Sequence, residues 1–82
     1  MKRLLYFSAP WCGPCKQFKP LMESLQHQMP MTFIDVDASP QTANEYNVKS
    51  VPTIVLIDEG GREKGRLVGV QHESQIRALY NR

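Results

Sequence analysis

The chain has 82 residues, 41% of them hydrophobic and 22% charged, with a formal net charge of +2. That length gives one domain, residues 1–82, whose small core leaves few apolar positions idle. Scattered charges without a basic stripe exclude a nucleic-acid surface, and no run approaches the ~20 apolar residues of a membrane span.

Met1-Lys2-Arg3-Leu4-Leu5 opens as a secretory leader would. A leader needs about 7–15 apolar residues and a cleavage site. Here the run stops at Ser8, and cleavage would remove the cysteine motif that follows. Arg3 to Phe7 therefore reads as a short strand covered on both faces, and the protein as cytoplasmic. Ser8-Ala9-Pro10 is a loop. From Cys12 to about Met29, Cys15, Phe18, Met22, Leu25 and Met29 recur at helical steps, and Leu21 widens the face. Pro20 bends this helix and Pro30 marks its end.

Met31 to Val36 is a second buried strand. Ser39 as N-cap and Pro40 at the first helical position start a short helix to about Tyr46, burying Ala43 and Tyr46. Asn47 ends it in a left-handed turn. Strands joined through helices are expected to be parallel, with right-handed connections. Val51 to Ile57 is the third strand, with Pro52 at its start. Glu59-Gly60-Gly61 is a hairpin turn, and Lys64 to Val68 returns antiparallel. Gln71 to Arg82 is an amphipathic helix with Ile76, Leu79 and Tyr80 inward. The order is β-α-β-α-β-β-α: an α/β fold with a four-stranded mixed sheet and helices on both faces.

Both cysteines lie in Trp11-Cys12-Gly13-Pro14-Cys15-Lys16. Two thiols with two residues between them can close a small disulfide ring. A thiol at a helix N-terminus faces free N–H groups and the positive dipole end, which stabilise its reactive thiolate. Cys12 is accordingly the nucleophile, with weaker support from Lys16 one turn on. Cys15 is the resolving thiol and is expected to be the more buried. Gly13 permits close backbone approach, and Pro14 fixes φ in the first turn without needing an N–H partner. Trp11 is either a core aromatic or a partly exposed platform for substrate, and its place beside the cysteines favours the platform. His27 and His72 are isolated and lack zinc-site spacing, so no metal site is assigned.

The hexapeptide after an apolar strand resembles the active-site segment of the thioredoxin family. Pro20 falls where that family kinks its long helix. Asp35-Val36-Asp37 ends a strand as the family's does, Ser50-Val51-Pro52-Thr53 looks like its cis-proline segment, and Gly60 and Gly69 fit its later glycines. The resemblance covers nearly the whole chain, but the family's first strand and helix have no counterpart. It implies a minimal thioredoxin-like fold that reduces protein disulfides, with no bound cofactor beyond a redox-active Cys12–Cys15 disulfide. It implies NADPH as an indirect electron source through a thioredoxin reductase-type flavoprotein, and a monomer. It also implies a cis bond before Pro52, beside the cysteines, with Val51, Gly69 and Val70 lining a groove for extended protein substrates. The hairpin is one residue longer than the family's, which places a bulge at Gly65.

Two positions depart from the family. Its buried aspartate beneath the second cysteine corresponds to Tyr6, and the lysine that accompanies it to Phe33. The Tyr6 hydroxyl, a water or Lys16 is left to assist Cys15. Two other readings are a glutaredoxin-like oxidoreductase fed by glutathione and a non-catalytic docking module. The second has little need of two thiols.

Overall fold

The computed structural model describes residues 1–82. The elements are β1 (Arg3–Ser8), α1 (Gly13–Leu25), β2 (Met31–Asp35), α2 (Pro40–Glu45), β3 (Thr53–Ile57), β4 (Glu63–Val68) and α3 (Glu73–Tyr80). The strands lie in the order β2-β1-β3-β4. β1 and β2 are parallel, and the other two pairings are antiparallel.

β1 is apolar at Leu4 to Phe7 because both its faces are covered. Leu4 and Tyr6 join Phe18, Met22 and Leu25 of α1 and Ile76 and Leu79 of α3 in one buried cluster. Leu5 and Phe7 point the other way, into a smaller cluster with Ile34, Val55 and Ala43 of α2. Strand alternation thus assigns α1 and α3 to one face and α2 to the other. Each of these large side chains contributes roughly 1.5–3 kcal/mol by leaving water.

The parallel expectation holds for the β1–α1–β2 unit and fails for β3, which runs antiparallel to β1. The physical reason is the shortness of α2. Six helical residues rise about 9 Å. At the helix end the Tyr46 hydroxyl donates to the Gly61 carbonyl at 2.9 Å, tying α2 to the β3–β4 hairpin. Asn47 then turns the chain with φ 57°. The segment that follows returns toward the end of β1, with Val48 and Val51 packed on the smaller cluster. β3 consequently starts with Thr53 opposite Phe7.

Other boundaries shift by less. α1 stops at Leu25, and a turn held by Gln28 and Met29 N–H groups on the Leu25 carbonyl keeps Met29 buried. Pro52 lies just outside β3, so its missing N–H costs the sheet nothing. Ser39 caps α2 by position, without a side-chain bond. α3 begins later than its sequence pattern, at Glu73. His72 is its N-cap and donates its backbone N–H to Gln75 Oε1 at 2.9 Å. The bulge falls one residue before Gly65. Leu56 pairs with Gly65 and Ile57 with Glu63, which leaves Lys64 as the extra residue. A Cβ at Gly65 would meet the Arg82 guanidinium and Leu79, so glycine lets the C-terminal helix approach the sheet.

Candidate active site

β1 delivers the chain to Ser8 at the end of the sheet, and the loop after it leads into α1. Cys12 is the N-cap of α1, with extended backbone angles of φ −86° and ψ 107°. Its N–H donates to the Ala9 carbonyl at 3.1 Å, which fixes the approach. Its Sγ accepts the Cys15 N–H at 3.1 Å. A sulfur here takes the place of the serine or aspartate oxygen that usually satisfies a free N–H of the first turn. Pro14 lies in that turn and offers no competing donor. The same N–H and the helix dipole would hold a thiolate after reduction.

Cys12 and Cys15 form a disulfide with Cα atoms 5.2 Å apart. The two are nearly equally buried, 5% and 3% exposed, so burial alone hardly separates them. Their neighbours do. Cys12 Sγ lies 3.9 Å from the Val51 carbonyl oxygen, and Ala9, Val36 and Val51 pack around the pair. The Val51–Pro52 peptide is cis. Thr53, buried, donates its hydroxyl to the Ser50 carbonyl at 2.8 Å and secures this loop. The Gly69 N–H donates to the Pro52 carbonyl at 2.8 Å. Gly69 has φ 89°, a conformation that favours glycine, and it brings the end of β4 over Pro52. Val70 follows, 57% exposed. The structure thus brings Val51, Pro52 and Gly69 to the cysteines.

Trp11 is 68% exposed beside the pair, yet its orientation is fixed. Its indole Nε1 donates to Asp37 Oδ2 at 2.9 Å. The sequence places Asp37 only at the end of a strand, and its contact with Trp11 escapes that reading because the partner lies 26 positions away. Val68, also 57% exposed, extends the apolar rim from the last position of β4. A Cβ on Gly13 would meet nothing within 4 Å. Gly13 therefore borders open space at the surface.

The floor beneath Cys15 is aromatic. Tyr6 is fully buried, with its ring edge-on to Phe18 at 5.8 Å and to Phe33 at 5.5 Å. Its hydroxyl donates to the Cys15 carbonyl at 3.3 Å. Burial pushes the Tyr6 pKa up, so the group stays protonated at neutral pH and acts as a donor. Tyr6 and Phe33 are register partners on β1 and β2. Lys16 shares a backbone bond with Cys12, N–H to carbonyl at 3.2 Å. Its exposed side chain lines an open groove of about 580 Å³ with Cys15, Lys19, Phe33 and Asp35.

The family model for thioredoxin matches residues 1–82. The chain belongs to the thioredoxin family. It is 38% identical to thioredoxin of Chlamydia trachomatis, over 96% of this chain and 79% of that protein. It is 36% identical to a bifunctional thioredoxin reductase/thioredoxin of Mycobacterium leprae, over 89% of this chain and 17% of that protein. Among solved structures it resembles a single-site mutant of a Halobacterium salinarum thioredoxin, with a TM-score of 0.85 and 36% identity. That match covers 98% of this chain and 72% of the other. This family member is a thiol–disulfide oxidoreductase, a protein-disulfide reductase with a redox-active Cys-x-x-Cys pair. No helix is long and apolar enough to cross a membrane.

Proposed function

We propose that this chain reduces protein disulfides by a dithiol cycle within one domain. The Cys12 thiolate attacks a substrate disulfide, forms a mixed disulfide and releases one substrate thiolate, which takes up a proton. The Cys15 thiolate then attacks Cys12 Sγ, closes the Cys12–Cys15 bond and releases the second substrate thiol. Two electrons and two protons pass to the substrate. The observation that carries this reading is the Cys15 N–H directed at Cys12 Sγ at the start of α1.

Substrates in this reading are extended or unfolded protein segments. They would lie along Trp11, Gly13, Pro14, Val51, Pro52, Gly69 and Val70, where the exposed side chains of Trp11 and Val70 flank the cis-proline loop. Tyr6 and Lys16 support the pair, Tyr6 through the Cys15 carbonyl and Lys16 through its charge. Tyr6 is not the base for Cys15, because its hydroxyl is raised in pKa and committed to that carbonyl. The Cys15 proton instead leaves through the groove that Lys16 borders. A single chain holds every group the cycle uses. The working compartment is the cytoplasm.

Electrons come from NADPH through a flavoprotein thioredoxin reductase. The Mycobacterium leprae relative, which joins the two names in one protein, supports this choice. A recharging assay tests it. Trp11 is the only tryptophan and adjoins the disulfide, so its fluorescence reports reduction. The oxidised protein is offered NADPH with thioredoxin reductase and, separately, glutathione with glutathione reductase. Fast reduction by the first alone is expected. Preference for glutathione would replace this reading with the glutaredoxin-like one.

A further inference from the structure

A pocket of about 130 Å³ opens beside Cys12, between Trp11 and the segment that precedes the cis bond. Trp11, Val36, Val48, Lys49, Ser50 and Val51 line it. Three of these adjoin the redox pair. Trp11 precedes Cys12, Val36 and Val51 pack against both cysteines, and the Val51 carbonyl lies 3.9 Å from Cys12 Sγ.

The walls are held in place. The Trp11 indole is bonded to Asp37, the Ser50 carbonyl accepts the Thr53 hydroxyl at 2.8 Å, and the Val48 N–H donates to the Ala43 carbonyl at 2.9 Å. A ligand therefore meets a pocket that is already formed. Apolar cavities of roughly 150 Å³ accept a group the size of benzene, so this one has room for a single aliphatic side chain.

Its polarity is one-sided. Three valines and a tryptophan make the walls apolar, and Lys49 is the one charged residue among them. Lys49 is exposed and joins none of the chain's ion pairs. Asp37, the acid that touches Trp11, has its Oδ2 committed to the indole. An unpaired cation beside an apolar recess favours a ligand that brings a carboxylate and an aliphatic side chain together.

Given the dithiol cycle proposed above, on which this inference rests, we propose that the pocket is a specificity subsite for acidic protein segments. It takes an aliphatic side chain close to the reacting substrate cysteine, and Lys49 pairs with an acidic residue beside that side chain. The spacing fits. Lys49 stands two residues before Val51, roughly 6.6 Å of extended chain. A substrate extended along this segment with its cysteine at Cys12 turns the side chain two positions away toward the same face, and into the pocket. The next substrate residue then reaches the rim at Lys49. Lys49 meets the charge of the substrate and takes no part in the exchange between sulfurs.

Single-turnover oxidation of the dithiol form tests this. Three short peptides serve as oxidants, each joined to a copy of itself through one cysteine. They carry valine two positions to either side of that cysteine and, next beyond, glutamate, glutamine or lysine. Trp11 fluorescence follows the second-order rate, and circular dichroism verifies the fold of each variant. The glutamate peptide is expected to react about three- to tenfold faster than the lysine peptide, with glutamine between them. Lys49→Gln removes most of that spread, and Lys49→Glu reverses its order. Lys64→Glu changes the net charge as much as Lys49→Glu does but lies at the end of β4 away from Pro52, and it keeps the order. Salt at about 0.5 M narrows the spread in the natural chain. Serine in place of the peptide valine slows all three at least about threefold. Equal rates for the three peptides, an order that Lys49→Glu does not move, or indifference to the valine overturns the subsite and leaves the dithiol cycle standing. A protein that none of the peptides oxidises would lose the cycle as well.

Discussion

The two cysteines of the disulfide differ little in exposure and share one small cluster, yet they meet different hydrogen-bonding partners. Around Cys12 are backbone groups: the Cys15 N–H on its sulfur and the Val51 carbonyl 3.9 Å away. Cys15 is tied through its carbonyl to the Tyr6 hydroxyl, whose ring is wedged edge-on between Phe18 and Phe33. A backbone N–H stabilises a sulfur anion and does not titrate, whereas an aromatic floor supplies no charge at all. The roles of a dithiol can therefore be set by which groups face each sulfur, with no large difference in burial.

The sharpest way to break this comparison is to remove one sulfur at a time. Cys12→Ser is expected to lower disulfide reduction by at least ~10³-fold, because no other group can replace the nucleophile. Cys15→Ser should keep the first attack and stop at a mixed disulfide, visible by mass spectrometry as a stable adduct. A Cys12→Ser protein that still turned over many disulfides would reverse the assignment.

The aromatic floor comes next. Tyr6→Ala leaves a cavity among Phe18, Phe33 and Met22 and is expected to cost about 3–5 kcal/mol in urea unfolding. Tyr6→Phe keeps the ring and removes only the bond to the Cys15 carbonyl, so about 1 kcal/mol is expected. Tyr6→Asp would place an ionisable group under Cys15. Its resolving rate should gain a pH transition that the natural chain lacks, measured by stopped-flow fluorescence of Trp11. Superimposable profiles would show that nothing at this position takes part in proton transfer.

On the Cys12 side, the exposed rim should affect binding more than stability. Trp11→Ala is expected to raise KM for a protein disulfide about tenfold with little change in unfolding free energy. Asp37→Ala frees the indole and should give a smaller rise, of about two- to threefold. If Asp37→Ala matched Trp11→Ala, orientation rather than ring area would be what the substrate reads.

The same division explains what sequence can and cannot reveal. Cys12, Gly13, Pro14 and Cys15 are legible because their chemistry is local: an N-cap, a first turn and a thiol pair close together in the chain. The strands and α1 are legible because their apolar spacing is. The direction of β3 is not, since it depends on α2 being tied to Gly61 by Tyr46 and on the chain doubling back at Asn47. Asp37 on Trp11 and Tyr6 on Cys15 are contacts between separate elements, and no periodicity encodes them. Tyr6 can be placed beneath the pair only by resemblance, and what its hydroxyl bonds to needs coordinates.

The smallest expected effect is also the most direct probe of that floor. Burial raises the Tyr6 pKa in the folded state, while in the unfolded chain it returns to about 10. Below about pH 10 both states keep the proton and the hydroxyl contributes no pH dependence. Above it, the unfolded tyrosine ionises first, so the unfolded state binds fewer protons and stability falls as pH climbs toward the folded pKa. Tyr6→Phe deletes that loss and leaves Tyr46 and Tyr80 as background. Urea midpoints between about pH 8 and 11 should therefore fall more steeply for the natural chain than for Tyr6→Phe. Parallel slopes would mean that water reaches the hydroxyl, and the contrast between a backbone-lined Cys12 and a ring-lined Cys15 would lose its dry side.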